Sequence, residues 1–217
     1  MKRFVKHHWN NNKQLVLLGI AAFLFIAGVV QYAFGLSYIL PLTPIMLAVL
    51  TALVLLVWDL SPRKKAILVT SVIVSGFIIE LIGVHSGFLF GDYNYGTVLG
   101  FRLAGVPITI GLTWFLVTLS AWHIVGFGQL SIRNKFLLAG ALVVMFDLVL
   151  EQFAVASGLW AWQGGTIPLY NYICWFLLSE LFFFVYYRFT KLAEPSLFIA
   201  GQLPLMAIFF WLMLFVK

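Results

Sequence analysis

Long apolar segments alternate with short polar ones along the whole chain. A helix rises about 1.5 Å per residue and the hydrocarbon layer of a bilayer is about 30 Å thick, so about 20 apolar residues are enough to cross it. A helix also satisfies its own backbone hydrogen bonds in lipid. The pattern therefore predicts one integral membrane domain over residues 1–217 with about seven membrane-spanning helices. They are predicted at residues 15–34, 38–57, 66–84, 106–125, 136–156, 170–187 and 196–216.

The composition agrees with lipid as the main solvent. Of the residues, 63% are hydrophobic and 9% are charged, and the mean hydropathy is +1.06. In a soluble domain roughly a quarter of the residues are charged. The basic start of the chain leads into a full-length apolar segment without a small-residue cleavage pattern, so the first helix is expected to remain in the mature protein. We therefore expect an all-α, polytopic membrane helix bundle.

The basic residues are concentrated on one side of the predicted bundle. Of the 13 Lys and Arg residues, 11 fall at the N-terminus or in connections on its side, which leaves Arg102 and Lys217 opposite. Cytoplasmic loops carry such an excess, so we expect the cell inner (cytoplasmic) membrane with the N-terminus in the cytoplasm. The net charge of +6 then needs no nucleic-acid partner, and membrane lipids are the expected surroundings.

Two longer connections are predicted on the outer side, at residues 85–105 and 157–169. They are rich in Gly, Trp and Tyr and nearly free of Lys. Such connections suit a lid or an aromatic belt at the membrane interface.

The third and fifth predicted helices share a residue pattern that continues into the helices that follow them. Both copies would enter from the cytoplasm and return to it, so residues 66–126 and 134–190 are predicted to form a parallel internal repeat, helices 3-4 and 5-6. A site between the two halves is then expected. The matching patterns are Glu80-x3-Val84-x-Ser86-Gly87 with Glu151-x3-Val155-x-Ser157-Gly158, and Pro107-x6-Trp114 with Pro168-x6-Trp175.

Four of the seven acidic residues fall within predicted spans, where an ionised carboxylate costs roughly 2.5 to 3.5 kcal/mol or more. Asp147 and Glu151 are four positions apart and share one helix face, while Glu80 holds the position equivalent to Glu151. Burial and like-charge proximity favour the neutral carboxylic acid, which is a proton donor in an apolar pocket. Glu180 stands alone on its helix, and both a functional and a structural interpretation of it stay open.

A structural interpretation of the other three acids is also open. They could pair with Arg102, Asn171 or backbone groups and only hold helices together.

Aromatic residues, 18% of the chain, cluster around the outer connections. Their simplest interpretation is an interfacial belt, but aromatic faces can also stabilise a developing carbocation. The clustered residues are Tyr93, Tyr95, Trp160, Trp162, Tyr170 and Tyr172.

The sequence lacks the residue sets that several other chemistries require. Four His residues are too few and too scattered for a membrane di-iron oxygenase, and the seventh predicted helix has no lysine before Lys217 for a retinal Schiff base. Asp147 and Glu151 are spaced like one magnesium motif of membrane prenyltransferases, but a second acidic cluster is missing. A glycine-rich phosphate loop and a Ser-His-acid set are absent as well. We predict no metal site.

Seven short motifs occur together between residues 79 and 176. As a set, they resemble the membrane carotenoid-biosynthesis protein family of the carotenoid 1',2'-hydratase and bisanhydrobacterioruberin hydratase type. Members often carry a proline after the second acid, whereas Gln152 follows Glu151 here, which points to a divergent substrate or subfamily. The motifs are Glu80-Leu-Ile-Gly-Val-His-Ser-Gly87, Phe90-Gly-Asp-Tyr-Asn-Tyr95, Leu99-Gly100, Gly105-Val-Pro107 with Trp114, Asp147 to Glu151, Trp160-Ala-Trp162, and Pro168-x2-Asn171 with Trp175.

The resemblance implies a hydro-lyase, a carotenoid 1',2'-hydratase that adds water across the terminal C=C of an acyclic carotenoid end group. A carboxylic acid would protonate the alkene, aromatic rings would shelter the tertiary carbocation, and a carboxylate would deprotonate the attacking water. The substrates would be the carotenoid and water, with no cofactor, neither metal nor nucleotide. Other enzymes of the carotenoid pathway are candidate partners.

The candidate site residues follow from these motifs and from the acids. Glu80, Asp147 and Glu151 are the expected acid and base set, with Asp92 next, and their individual roles are not distinguished. The candidate substrate-binding residues are Tyr93, Tyr95, Trp114, Trp160, Trp162, Asn171 and Trp175.

Three other functions stay open. A carotenoid cyclase of the lycopene type begins with the same protonation but lets another double bond capture the cation. A proton-coupled transporter of a small or lipophilic substrate would also carry parallel repeats and intramembrane acids. A purely structural assembly subunit would need none of the acids for chemistry.

Overall fold

The computed structural model describes residues 2–190 and 194–216, except for the side chains of residues 2–11 and 37–39. Lys191 and Lys217, two of the basic residues used to predict orientation, lie outside the described residues. The described part contains seven α-helices, as predicted, and a 3-10 helix, Ser37–Leu42, leads into the second of them. The helices are α1 Lys2–Ala33, α2 Thr43–Val57, α3 Pro62–Ser86, α4 Ile110–Gly126, α5 Ile132–Ser157, α6 Leu169–Thr190 and α7 Leu197–Phe215.

Six helices of the described residues are long and apolar enough to cross a membrane, and α4 is shorter. Its 17 residues give a rise of about 25 Å. The helix is shorter than predicted because it begins at Ile110, whereas the predicted fourth span began at residue 106. In α4, 14 of the 17 residues are buried, and the helix contacts α2, α3, α5, α6 and α7. The helix is therefore the centre of the bundle and is surrounded by protein.

The helices α3 and α5 begin differently but end in the same way. Proline occupies the first turn of α3 at Pro62, and the Ser131 side chain accepts a hydrogen bond from the Asn134 backbone N–H at the start of α5. Both helices end at a glycine in the left-handed conformation, Gly87 with φ 63° and Gly158 with φ 70°. The two long connections therefore leave α3 and α5 through equivalent caps.

These connections contain two small sheets, which the all-α prediction did not include. The strands β1, Tyr93–Tyr95, and β4, Trp160–Trp162, pair antiparallel across the two connections. Within the first connection, β2, Arg102–Leu103, pairs with β3, Val106–Pro107, through a turn in which Gly105 has φ 82°. The strand β3 occupies the first residues of the predicted fourth span, which explains the late start of α4.

Candidate active site

The sheet formed by β1 and β4 presents four aromatic side chains to the helices. Tyr93 pairs with Trp162 and Tyr95 with Trp160, with ring centroids 5.0 and 5.8 Å apart. Successive residues of a strand point to opposite faces, so the middle residue of each strand is exposed while these four side chains are buried. This buried face, which we call the aromatic roof, consists of Tyr93, Tyr95, Trp160 and Trp162.

Glu80 of α3 lies beneath one half of the aromatic roof and is 3% exposed. Its Oε2 accepts hydrogen bonds from the Tyr93 and Tyr95 hydroxyls at 2.5 and 2.7 Å. Its Oε1 accepts a hydrogen bond from the Trp114 indole N–H of α4 at 2.9 Å. Both carboxyl oxygens are therefore bonded to neutral donors from two other elements.

Burial and the adjacent Glu80 carboxyl raise the pKa of the Tyr93 and Tyr95 hydroxyls above the ordinary tyrosine value. Both phenols therefore keep their protons at neutral pH. As protonated groups they remain able to donate to Glu80 throughout the physiological range.

Two glycines of α3 make room for aromatic side chains around Glu80. Gly76 lies one turn before Glu80, and a Cβ there would lie 2.8 Å from the Cβ of Trp114. Gly83 lies almost one turn after Glu80, and a Cβ there would lie 2.5 Å from the ring of Phe90. Sequence reasoning missed these two glycines, although their spacing around an intramembrane glutamate, Gly-x3-Glu-x2-Gly, was a usable signal.

Glu151 of α5 lies beneath the other half of the aromatic roof and is also 3% exposed. The indole N–H groups of Trp160 and Trp162 both donate to its Oε2, at 2.9 and 2.8 Å. Within the described part of the chain, the second oxygen, Oε1, receives no hydrogen bond from a side chain. Glu151 is therefore held by one oxygen, whereas Glu80 is held by both.

Asp147 lies one helical turn before Glu151 and is completely buried. Its Oδ2 accepts a hydrogen bond from the side-chain amide of Asn171, in the first turn of α6, at 3.0 Å. Its Oδ1 is enclosed and has no hydrogen-bond partner among the described residues. The structure therefore brings Asn171 to Asp147, as the structural interpretation of the acids allowed.

Glu80 and Glu151 line one cavity together with the aromatic roof, Asn171 and Trp175. The volume of the cavity is about 20 Å³, which is room for about one water molecule. The ring of Trp175 stacks on that of Trp114, with ring centroids 4.0 Å apart and ring planes 14° apart. The arrangement can hold one water molecule between two carboxyl groups and aromatic faces.

Asp92 and Arg102 lie apart from this cavity. Asp92 is exposed, its carboxylate lies against Gly87, and its carbonyl accepts a hydrogen bond from the Gln163 backbone N–H at 2.8 Å. The structure therefore does not bring Asp92 to the other acids, because it precedes β1 and its side chain is exposed, unlike that of Tyr93. Arg102 is also exposed, and its guanidinium donates to the Tyr95 carbonyl at 3.1 Å.

The other predicted outer aromatic residues and the fourth intramembrane acid also lie outside the cavity lining. Tyr170 is 44% exposed, and Tyr172 is half-buried. Glu180 Oε1 is enclosed near Gly140 of α5, where a Cβ would lie 2.7 Å away, and it has no hydrogen-bond partner among the described residues. In the described part of the chain, no group of three or more His, Cys, Asp or Glu residues is placed to hold a metal ion.

The fold and the site define a multi-pass helical membrane protein with paired, buried carboxyl groups beneath an aromatic roof. Residues 41–217 match the carotenoid biosynthesis protein family, and the chain belongs to that family. The resemblance inferred from the motifs is therefore confirmed.

A curated relative is a protein of Haloarcula japonica named bisanhydrobacterioruberin hydratase. It is 32% identical to the chain over 133 residues. The match covers 58% of this chain and 45% of the relative, so it spans less than half of the relative's length. No solved structure matches the chain.

Proposed function

We propose that the protein is a carotenoid 1',2'-hydratase that adds water across the terminal C=C of an acyclic carotenoid end group. The observation that carries the proposal is the position of Glu80 and Glu151, two buried glutamates that line one water-sized cavity. Family membership supports a carotenoid as substrate, and the name of the Haloarcula relative supports hydration as the reaction.

The chemistry needs one acid, one base and a shelter for positive charge. A carboxylic acid transfers its proton to the terminal alkene, so that a C–H bond forms and the neighbouring carbon becomes a tertiary cation. The oxygen of water bonds to that carbon, and a carboxylate removes the surplus proton. Trp160, Trp162 and Trp175 line the cavity, and their aromatic rings would stabilise the cation through the ring quadrupole. Asp147, which accepts a hydrogen bond from the Asn171 side-chain amide, is the third member of the acid and base set beside Glu151.

Substrate entry requires a change of shape. The cavity of about 20 Å³ has room for about one water molecule but not for a carotenoid end group. The end group therefore enters when the aromatic roof moves away from the helices, while the rest of the polyene stays among lipid chains. The roof is the movable part because its strands are only three residues long.

The internal repeat and the orientation belong to the same proposal. Two halves related by a two-fold axis would account for the antiparallel β1–β4 pairing, the paired glutamates and the stacked Trp114 and Trp175 rings. At the opposite end of the bundle, the ammonium groups of Lys64 and Lys65 donate to the carbonyls of Phe189 and Leu55. The excess of basic residues there supports a cytoplasmic N-terminus in the inner membrane, with the cavity toward the outer side.

The test is expression of the chain in cells that accumulate lycopene, grown in water labelled with heavy oxygen. We expect a pigment with a tertiary hydroxyl group whose oxygen comes from water. Label derived from molecular oxygen would refute hydration. An isomer of unchanged mass would indicate a cyclase, and an unaltered pigment that crosses proteoliposome membranes would indicate a transporter. The double variant Glu80→Gln and Glu151→Gln is the inactive control.

A further inference from the structure

We infer that the two glutamates have fixed and different roles: Glu151 donates the proton to the alkene, and Glu80 is the ionised base that receives the proton from water. This inference rests on the proposed hydration. It comes from a difference between the two hydrogen-bond shells, which identifies the oxygen of each glutamate that is able to carry a proton.

The hydrogen bonds of Glu80 fit a carboxylate. The indole of Trp114 can only donate, so Oε1 of Glu80 must accept. The hydroxyls of Tyr93 and Tyr95 converge on Oε2. A proton on Oε2 would force one phenol to turn and accept it, so the three-donor arrangement would be lost. Three donors to a buried carboxyl group favour its ionised form.

The hydrogen bonds of Glu151 fit a carboxylic acid. Trp160 and Trp162 are donor-only groups, and both bond to Oε2, so this oxygen must be the acceptor. Oε1, which receives no side-chain hydrogen bond from the described residues, is the oxygen that can carry a proton. Asp147 lies one turn away, and two ionised carboxyl groups in a buried site repel each other, so the Asp147 and Glu151 pair keeps at least one proton.

The donor types also differ in what they can relay. A hydroxyl can pass its own proton to an acceptor while it takes another proton, but an indole N–H has no lone pair to receive one. Tyr93 and Tyr95 line the cavity and bond to Glu80, so they can pass a proton from water to Oε2. The tryptophans on the Glu151 side hold the acid in position without offering its proton another route.

The cycle balances without a further reactant. The Glu151 O–H bond breaks and a C–H bond forms at the alkene. Water bonds to the tertiary cation, and its surplus proton passes through a tyrosine hydroxyl to Glu80. When the alcohol leaves, the next water molecule in the cavity returns this proton from Glu80 to Glu151. Glu151 is then protonated and Glu80 ionised, as both were before the reaction.

The experiment measures two reactions of purified protein in deuterated water, namely formation of the alcohol and deuterium uptake into the end group of recovered substrate. Uptake reports reversible protonation of the alkene, which needs the acid but not the base. We expect Glu80→Gln to lose the alcohol but retain uptake, and Glu151→Gln to lose both by about a hundredfold or more. Uptake by Glu151→Gln but not by Glu80→Gln, or by neither variant, would overturn the assignment.

A second readout does not depend on turnover. Infrared spectra of the substrate-free protein separate the C=O stretch of a protonated carboxyl group from the stretches of a carboxylate. Glu151→Gln should lose intensity from the first, and Glu80→Gln should lose intensity from the second; the reverse would overturn the roles. Glu180→Gln, which changes an intramembrane carboxyl outside the cavity lining, is the matched control for folding and activity. If the wild type forms no alcohol, the hydration proposal fails, whereas the infrared bands still test the protonation states.

Discussion

Each half of the site holds a buried glutamate beneath the aromatic roof, but the surroundings of the two glutamates differ. Under the proposed repeat, Gly76 of α3 corresponds to Asp147 of α5, and Ile110 corresponds to Asn171. Where the first half has a small residue, Trp114 approaches and donates to Glu80. Where the second half has Asp147, the space holds a polar pair instead. Substitutions at corresponding positions can thus give one fold two chemically distinct carboxyl groups.

The two stacked tryptophans should differ most in activity, with a greater loss when Trp114 is replaced than when Trp175 is replaced. Trp114→Phe keeps a ring in the stack but removes the donor to Glu80 Oε1, so one oxygen of a buried carboxylate loses its partner. We expect kcat/KM for hydration to fall about 10- to 100-fold. Trp175→Phe removes a similar ring area without removing a hydrogen bond to either glutamate, and we expect a smaller loss. Equal losses in the two variants would contradict the comparison.

The next effect concerns stability. Gly76→Ala places a Cβ 2.8 Å from Trp114, which has to shift. We expect the free energy of unfolding in detergent to fall by about 1 to 3 kcal/mol. Gly19→Ala in α1 is the control, because a Cβ at Gly19 has no neighbour within 4 Å. A Gly76→Ala protein as stable as the Gly19→Ala protein would show that Trp114 does not need this space.

A smaller effect is expected from the polar pair of the second half. Asn171→Ala leaves Asp147 without its hydrogen bond, while Asp147→Ala removes the group that needs it. We expect a coupling energy of about 0.5 to 3 kcal/mol in a double-mutant cycle measured by unfolding. The cycle of Ile110→Ala and Gly76→Ala in the first half should show weaker coupling. Equal coupling energies in the two cycles would contradict the difference between the two halves of the site.

The smallest expected effect comes from single losses among the phenols of the aromatic roof. Tyr93→Phe and Tyr95→Phe each leave Glu80 Oε2 with one hydroxyl donor. We expect each to lower kcat about 2- to 5-fold, which is about 0.5 to 1 kcal/mol in barrier height, and the double variant to lower it by more than the product of the single effects. Purely multiplicative losses would indicate that the two hydroxyls do not substitute for each other.

The helices were predictable because their cause is local. An apolar run in lipid must satisfy its own backbone hydrogen bonds, so length and composition are enough to identify α1 to α3 and α5 to α7. The start of α4 was misplaced because β3, Val106–Pro107, is also apolar, and apolar character alone does not separate a strand from a helix start. The caps at Gly87 and Gly158 were visible in the sequence as a shared Ser-Gly pair.

Apolar patterning was enough to predict a multi-pass membrane chain with four acids inside its spans, and the motifs were enough to recognise the carotenoid biosynthesis family. The side chains that meet these acids became known from the packing of the helices and loops. This packing brought the aromatic roof over Glu80 and Glu151, paired Asp147 with Asn171, and left Asp92 at the surface. The sequence did not reveal these contacts because the partners lie far apart along the chain. Periodicity reports which face of a helix or strand is apolar, but a hydrogen bond between residues 34 positions apart, as between Glu80 and Trp114, depends on how the helices pack.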